Sequence, residues 1–216
     1  MGYLINLDLT GKPAVVVGGG QVAARKVADL LAAGAVVRVI APRVCDEVAG
    51  WGQLGRIALV KRPFANEDVE GAFVVVAATD DETVNARVSA AARSAGILVN
   101  VVDRPVLCTF TLPAVVRRGD LTIAIATEGQ SPGFARALRE ELESRYGAEY
   151  GDTVALLGRL RRRMIEQGWD SNRILEATLA LHKAGLVRAV GSGDSQAVAA
   201  LIGQHLGAGF EDLGDL

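Results

Sequence analysis

Residues 14–23 have the sequence AVVVGGGQVA, in which a short β-branched run leads directly into the pattern GxGxxA. The valines predict a buried β-strand, and the residues after the glycines predict the first turn of a helix. Here Gly18 permits a tight turn, Gly20 lets a pyrophosphate approach the backbone, and Ala23 allows close helix–strand packing. The helix N-terminus adds free N–H groups and a positive dipole end. The motif therefore predicts dinucleotide binding; a glycine-rich turn without a ligand is the alternative.

Apolar runs and amphipathic segments alternate from residue 13 to about residue 102. This alternation predicts βαβ units and a parallel sheet buried on both faces. The predicted strands are Ala14–Val17, Val36–Ala41, Ile57–Lys61, Phe73–Ala77 and Leu98–Val101. Crossover helices are predicted over Val22–Ala33 and Thr83–Ala95, followed by Gly34 and Gly96 as C′ residues. The alternating segment Tyr3–Leu9 is a candidate for a further strand.

The pattern changes after residue 103. Strands predicted over Cys108–Leu112 and Leu121–Ala126 lead into a helix with Ser131 as N-cap and Pro132 as first residue. From Asp152 onward the sequence predicts three helices, with turns at Gly168, Gly185 and residues 191–194. The predicted class is α/β, with a Rossmann-type parallel sheet followed by a small α+β region and a helical C-terminal region. The expected bounds are residues 1–103 for an NAD-binding domain, 104–150 for a dimerisation region and 151–216 for the helical region.

The composition is that of an ordinary globular protein. Half of the 216 residues are apolar, and 23 Lys and Arg stand against 25 Asp and Glu. Because this balance provides no cationic field, we expect neither nucleic acid nor a membrane as a partner. Cys45 and Cys108 form no CxxC pair, which predicts reduced thiols in a cytoplasm. The sequence shows no signal peptide and no apolar run of about 18 residues, so secretion and membrane spanning are not expected.

Two further loops are candidates for the cofactor site. The second strand runs into Pro42 and Arg43 without the acidic residue that usually holds a ribose 2′-hydroxyl. Arg43 suits a 2′-phosphate, so this rule alone leaves NAD and NADP both open. Thr79, Asp80 and Asp81 follow the fourth strand, where an aspartate can cap the next helix and the loop borders the cofactor.

Four phrases carry a resemblance to a known family. They are, in order, VVVGGGQVAARKVADLLAAGA, VVAATDDETVN, VNVVD and EGQSPGFARALREELE. Over about residues 3–150, the chain resembles the precorrin-2 dehydrogenase/sirohydrochlorin ferrochelatase family, the N-terminal module of siroheme synthases. The resemblance implies a homodimer, NAD as cofactor, and oxidation of the tetrapyrrole precorrin-2 to sirohydrochlorin in siroheme biosynthesis. From the length of 216 residues, we do not expect the methyltransferase module of the trifunctional members.

Position by position, the resemblance implies cofactor contacts and one catalytic residue. The cofactor contacts are Gln21, Val22, Pro42 and Arg43. Asp103 in VNVVD matches the aspartate that the family uses for both dehydrogenation and iron insertion. Thr127 stands where some siroheme synthases have a phosphorylatable serine, and whether it is regulatory stays open.

The position of Asp103 suits proton transfer. It follows the strand Leu98–Val101, and ligands bind at the carboxyl ends of strands in open α/β sheets. A carboxylate there can accept the proton that leaves when hydride passes to nicotinamide. Taken alone, an aspartate near Pro105 also suits a plain turn, and the resemblance favours catalysis. Because the substrate carries many carboxylates, arginines that could pair with them are candidate binding residues: Arg104, Arg117, Arg118, Arg136 and Arg139.

The sequence shows no metal-ligand cluster, since His182 and His205 stand alone in the helical region. Iron insertion, with Fe²⁺ as a substrate, therefore rests on the resemblance and on Asp103. A dehydrogenase that has lost this second activity is one alternative. A regulatory module that senses NAD(H) without turnover is another.

Overall fold

The computed structural model describes residues 2–207 and 209–210, in two compact units that divide between Leu112 and Pro113. The first unit contains a sheet of five parallel strands in the order β3-β2-β1-β4-β5. The strands are β1 (Pro13–Val17), β2 (Val36–Ile40), β3 (Ala58–Val60), β4 (Val74–Ala77) and β5 (Leu98–Val101). The strand order reverses at β1, which pairs with β2 on one side and with β4 on the other. This reversal is the crevice-forming point of a Rossmann sheet, so the predicted class is confirmed.

Helices cover both faces of this sheet. They are α1 (Gln21–Ala32), α2 (Asp46–Gln53) and α3 (Glu82–Ser94). Val16 faces a core that contains Val27 of α1, whereas Val15 and Val17 face a second core that contains Val88 of α3. Strand β1 is therefore apolar on both sides, as its sequence indicated. Gly34 and Gly96 have left-handed backbones just after α1 and α3, which confirms their C′ role.

Two predicted strands are wrong. Residues 3–9 form no strand, and Tyr3, Leu4 and Ile5 are 92%, 59% and 57% exposed, because no sheet face within the first unit covers them. Residues 108–112 lie beside β5 without forming a ladder. Thr109 bonds Val99 through both its backbone N–H and its hydroxyl, while side chains rather than a strand satisfy the neighbouring carbonyls.

The second unit begins with an antiparallel hairpin of β6 (Ala114–Arg118) and β7 (Leu121–Ile125). It is followed by α4 (Pro132–Arg145), and Ser131 caps this helix by accepting a hydrogen bond from the Phe134 N–H, as predicted. In the described part of this unit, four further helices enclose the core, rather than the predicted three, because residues after Gly185 form a short helix of their own. They are α5 (Glu149–Glu166), α6 (Ser171–Lys183), α7 (Leu186–Gly191) and α8 (Ser195–Leu206). None of the described helices combines the length and apolarity needed to cross a membrane.

Candidate functional site

The glycine loop joins β1 to α1 and lies at the reversal point of the sheet. Gly18 has φ +122°, and a Cβ there would overlap the carbonyl oxygen of Ala78, just after β4. A Cβ at Gly19 would overlap the carbonyl oxygen of Arg43. At Gly20, by contrast, no described atom lies within 4 Å of the Cβ position. The first two glycines therefore pack against the protein backbone, while Gly20 leaves open space.

The first turn of α1 faces this open space. Gly20 is the N-cap residue, and no side chain caps the helix N–H groups. The first turn contains no acidic side chain that would compete with an anion. Gln21 and Val22 are exposed, whereas Ala23 is fully buried against the sheet. Free N–H groups and a positive dipole end at an uncrowded loop are the features that hold a pyrophosphate.

The residues after β2 lie beside the glycine loop. The Gly18 N–H donates to the Ile40 carbonyl oxygen at 3.0 Å, and the Cys45 N–H donates to the Gly19 carbonyl oxygen at 2.7 Å. Pro42 and Arg43, between these two contacts, are both exposed. The structure thus brings the four cofactor positions implied by the resemblance to one edge of the sheet.

The loop after β4 is fixed by a small polar network. The Thr79 hydroxyl donates to the Asn85 side-chain oxygen at 2.9 Å, and the Asn85 amide donates to the Thr79 carbonyl oxygen at 2.8 Å. Asp81 caps α3 by accepting hydrogen bonds from the Thr83 and Val84 N–H groups. Asp80 is exposed beside them. Asn85 is buried and was missed from the sequence, where a single asparagine inside a helix carries no distinctive signal.

Asp103 lies in the turn after β5. Its backbone is left-handed, with φ +58°, a conformation that aspartate and asparagine adopt more readily than most residues. The Cys108 thiol accepts a hydrogen bond from the Val101 N–H at 3.1 Å and lies 3.4 Å from the Arg104 carbonyl oxygen, so it bridges both sides of the turn. The Asp103 carboxylate is exposed, and within residues 2–207 and 209–210 it has no hydrogen bond or ion pair. It is therefore available to a ligand.

Asp103 shares a depression with helix α1, which begins directly after the glycine loop. Its volume is about 500 Å³, and its lining includes Val22 from the first turn of α1 together with Val102 and Asp103. Arg25 and Lys26 of α1 also line it, a feature that no sequence motif indicated. A second depression, of about 490 Å³, lies between residues 66–70 and α3 and contains none of the predicted site residues.

Most of the candidate substrate arginines are engaged in ion pairs or backbone contacts. Arg104 in the first unit pairs with Glu82. In the second unit, Arg118 donates to the carbonyl oxygens of Glu143 and Tyr146 at the end of α4, at 2.9 and 2.8 Å. These bonds occupy donors that a substrate carboxylate would need.

On α4, Arg136 bonds Glu140 at 2.9 Å and Arg139 pairs with Glu143 at 2.6 Å. The hydrogen bond from Arg136 holds the pKa of the Glu140 carboxyl below its usual range. Arg117 is exposed and has no ion pair or side-chain hydrogen bond to any described residue. Of the five arginines, Arg117 has its guanidinium most available.

The remaining candidate positions carry no assembled site in the described part of the chain. The Thr127 hydroxyl accepts a hydrogen bond from the Ser131 N–H at 3.3 Å, at the start of α4. Cys45 and Cys108 are free thiols. Among residues 2–207 and 209–210, no group of three His, Cys, Asp or Glu side chains is placed to hold a metal ion.

Comparison with known families agrees with this geometry. Residues 5–114 match a family described as putative NAD(P)-binding, and residues 118–145 match one described as the central part of a sirohaem biosynthesis protein. The fold, the open glycine loop and the first of these matches define an NAD(P)-binding protein of the Rossmann type.

Individual relatives narrow the assignment. The chain is 43% identical over 159 residues to a siroheme synthase from Pseudomonas paraeruginosa, and 44% identical over 164 residues to one from Nitrosospira multiformis. Each match covers 74% of this chain but only 34% and 35% of the relative, so the chain spans about a third of their length. The solved structure of SirC, a precorrin-2 dehydrogenase, superposes with a TM-score of 0.70 at 31% identity, over 82% of this chain and 87% of SirC. The chain belongs to the precorrin-2 dehydrogenase/sirohydrochlorin ferrochelatase family.

Proposed function

We propose that this protein oxidises precorrin-2 to sirohydrochlorin with NAD as the hydride acceptor. The observation that carries the proposal is the depression that Asp103 shares with Val22, in the first turn of the helix that begins at the open glycine loop. The reaction removes one hydride and one proton, so precorrin-2 and NAD⁺ give sirohydrochlorin, NADH and H⁺. NAD, when bound, supplies the hydride acceptor, and the protein has to supply position and a proton acceptor.

The residues of the first unit fit the cofactor. The N–H groups at the start of α1 and the space above Gly20 would hold the pyrophosphate. Gln21 and Val22 would contact the cofactor from the helix, and Pro42 and Arg43 from the end of β2. The loop of Thr79 and Asp80 borders the same edge of the sheet. The preference for NAD over NADP is part of the proposal and is supported by the family.

Asp103 is the proposed proton acceptor. Its carboxylate is exposed beside the cofactor loop and has no described partner, so a substrate proton can reach it. A positioned base of this kind typically accelerates a reaction by about 10²–10⁴-fold. Asparagine is the suitable replacement for Asp103, because it has nearly the same side-chain shape and also tolerates the left-handed backbone at this position.

The test is an anaerobic absorbance assay with precorrin-2 and NAD, comparing the wild type with Asp103→Asn. We expect stoichiometric NADH formation by the wild type, at least about a hundredfold slower turnover by the variant, and equal NAD affinity. Near wild-type turnover by the variant would reduce Asp103 to a turn residue. NAD binding by the wild type without any turnover would support the alternative of an NAD(H)-sensing module.

Iron insertion is proposed as a second activity at the same carboxylate. Insertion of Fe²⁺ releases two protons from pyrrole N–H groups, and the unpaired Asp103 carboxylate can accept them in turn. Adding Fe²⁺ or cobalt to sirohydrochlorin in the absorbance assay tests this step. Loss of insertion but not of dehydrogenation in Asp103→Asn would separate the two activities.

Residues 104–150 are the proposed dimerisation region. Residues 104–150 contain only the β6–β7 hairpin, α4 and short connections, too few residues to form an independent core, which supports a homodimer formed mainly through this segment. The proposed regions are residues 1–103 for NAD binding, 104–150 for dimerisation and 151–216 for the helical C-terminal region. Arg117 is the arginine that we favour for the substrate carboxylates. Light scattering that shows a monomer at micromolar concentration would refute the dimer.

The two free thiols support a reducing, cytoplasmic setting for the protein.

A further inference from the structure

One face of α1 carries three charged residues, Arg25, Lys26 and Asp29, that the dinucleotide motif does not explain. Val22, Arg25, Lys26 and Asp29 are spaced i, i+3, i+4 and i+7, so they lie on one face of the helix. All four line the depression that also contains Asp103. The opposite face, with Ala23, Val27 and Leu30, is buried against the sheet. Because the apolar side of α1 packs against the sheet, the charged side of the helix is fixed toward the depression.

The two cations on this face are not neutralised by neighbouring side chains. Arg25 and Lys26 form no ion pair or side-chain hydrogen bond with any described residue. Asp29 lies on the same face one turn further from the glycine loop, and Asp103 lines the depression from the end of β5. The cations are thus closer to the cofactor loop than Asp29 is.

The cofactor pyrophosphate has binding groups of its own at the start of α1. The N–H groups that would hold it belong to the first turn of α1, after Gly20. Arg25 lies four residues after Gln21, which places its backbone about 6 Å further along the helix axis. Two unpaired cations that line the depression with the proposed base are suited to a second anionic ligand.

We propose that Arg25 and Lys26 bind carboxylate side chains of the tetrapyrrole and hold its ring beside Asp103. This inference rests on the proposed function, since it names the residues that position that substrate. The guanidinium of Arg25 can pair with a carboxylate through two parallel hydrogen bonds, and the ammonium of Lys26 can bind a second carboxylate as a point charge. Their role is to set substrate affinity and orientation, while proton transfer stays with Asp103.

The test uses Arg25→Gln, Lys26→Gln and the double variant in the full chain. The matched control is Arg56→Gln, which removes an exposed cation that precedes β3, at the amino end of the parallel sheet and away from the depression. We expect the KM for precorrin-2 to rise about tenfold in each single variant, and further in the double variant, because a charge-assisted hydrogen bond is lost. NAD affinity, thermal stability and the KM of the control should stay within twofold of the wild type. Added salt should raise the KM of the wild type more than that of the double variant.

Direct binding of sirohydrochlorin, measured by its absorbance change, gives a readout that needs no turnover. Weaker sirohydrochlorin binding in the double variant would support the proposal even if the wild type proved inactive with NAD, so the two proposals can fail separately. An unchanged KM together with unchanged sirohydrochlorin binding would overturn it. A loss of NAD affinity that matches the loss of turnover would also overturn it, by assigning the cations to the cofactor.

Discussion

Substitution of Gly20 by aspartate tests where the cofactor binds without disturbing the fold. Gly20 has φ −81°, which any residue adopts, and a Cβ there meets no described atom within 4 Å. Aspartate is also a good N-cap residue, so α1 should be as stable as before. The new carboxylate would, however, occupy the space in which the proposal puts a pyrophosphate.

The size of the effect follows from charge repulsion. Two like charges about 4 Å apart repel by about 4 kcal/mol at an effective dielectric constant of about 20. This is roughly a thousandfold in affinity. Because the loop is exposed and salt screens the repulsion, we expect at least about a hundredfold weaker NAD binding.

The assay is equilibrium titration of NADH, followed by its fluorescence, with thermal unfolding measured in parallel. Gly20→Ala is the control, since it adds the Cβ without the charge and should weaken binding much less. NADH affinity within threefold of the wild type in Gly20→Asp, at an unchanged melting temperature, would refute the proposed pyrophosphate position. A large drop in melting temperature would show that the loop is not as open as its geometry indicates.

Two further predictions concern stability. Gly18→Ala should destabilise the protein by about 3 kcal/mol in urea unfolding, because its Cβ would overlap the Ala78 carbonyl and its left-handed φ disfavours a side chain; a loss below about 1 kcal/mol would contradict this. The hydrogen bonds from Arg62 hold the pKa of the Asp68 carboxyl below its usual range. The pair therefore stabilises the folded protein at pH values above the pKa that Asp68 has in the unfolded chain. This stabilisation is lost as the pH falls through the pKa that Asp68 has in the folded protein. Urea unfolding of Asp68→Asn across pH 2–7 should show a weaker acid dependence than the wild type, and identical slopes would exclude the pair as a cause.

The sheet could be predicted because its strands are buried on both faces. A strand of this kind is a continuous apolar run, and Pro13–Val17 and Val74–Ala77 stand out between polar helices. The predicted bounds of all five strands agree with the structure to within one residue at each end. The ends of α1 and α3 could also be predicted from the local sequence. Gly34 and Gly96 follow these helices with a left-handed backbone, a conformation that glycine adopts far more readily than other residues.

Two errors in the strand prediction concern residues 108–118. Residues 108–112 are as β-branched and aromatic as a strand, but side chains of the first unit bond their backbone instead. Strand β6 was missed, although Gly119 and Asp120 between two apolar runs are a hairpin signal. The first error depended on side-chain contacts that only the fold reveals, whereas the hairpin signal was present in the local sequence.

The parts of the candidate site that belong to sequence motifs could be predicted. The glycine loop and Asp103 could be found because each follows a strand directly. Arg25 and Lys26 could not be found in this way, because exposed cations on a helix are common. Only the fold shows that these two residues line the depression with Asp103. Asn85 is a similar case, because its role depends on the loop after β4.

The contact between Gly18 and the backbone after β4 also affects how such a sequence can change over time. The atoms nearest to Gly18 are the carbonyl group of Ala78 and the amide nitrogen of the next residue, and every amino acid at those positions provides the same atoms. The contact therefore places no demand on the side chain at position 78, while it forbids any side chain at position 18. Substitutions can accumulate on one partner of this contact and not on the other. A sequence that has diverged widely at the β4 loop can thus still keep the same cofactor loop.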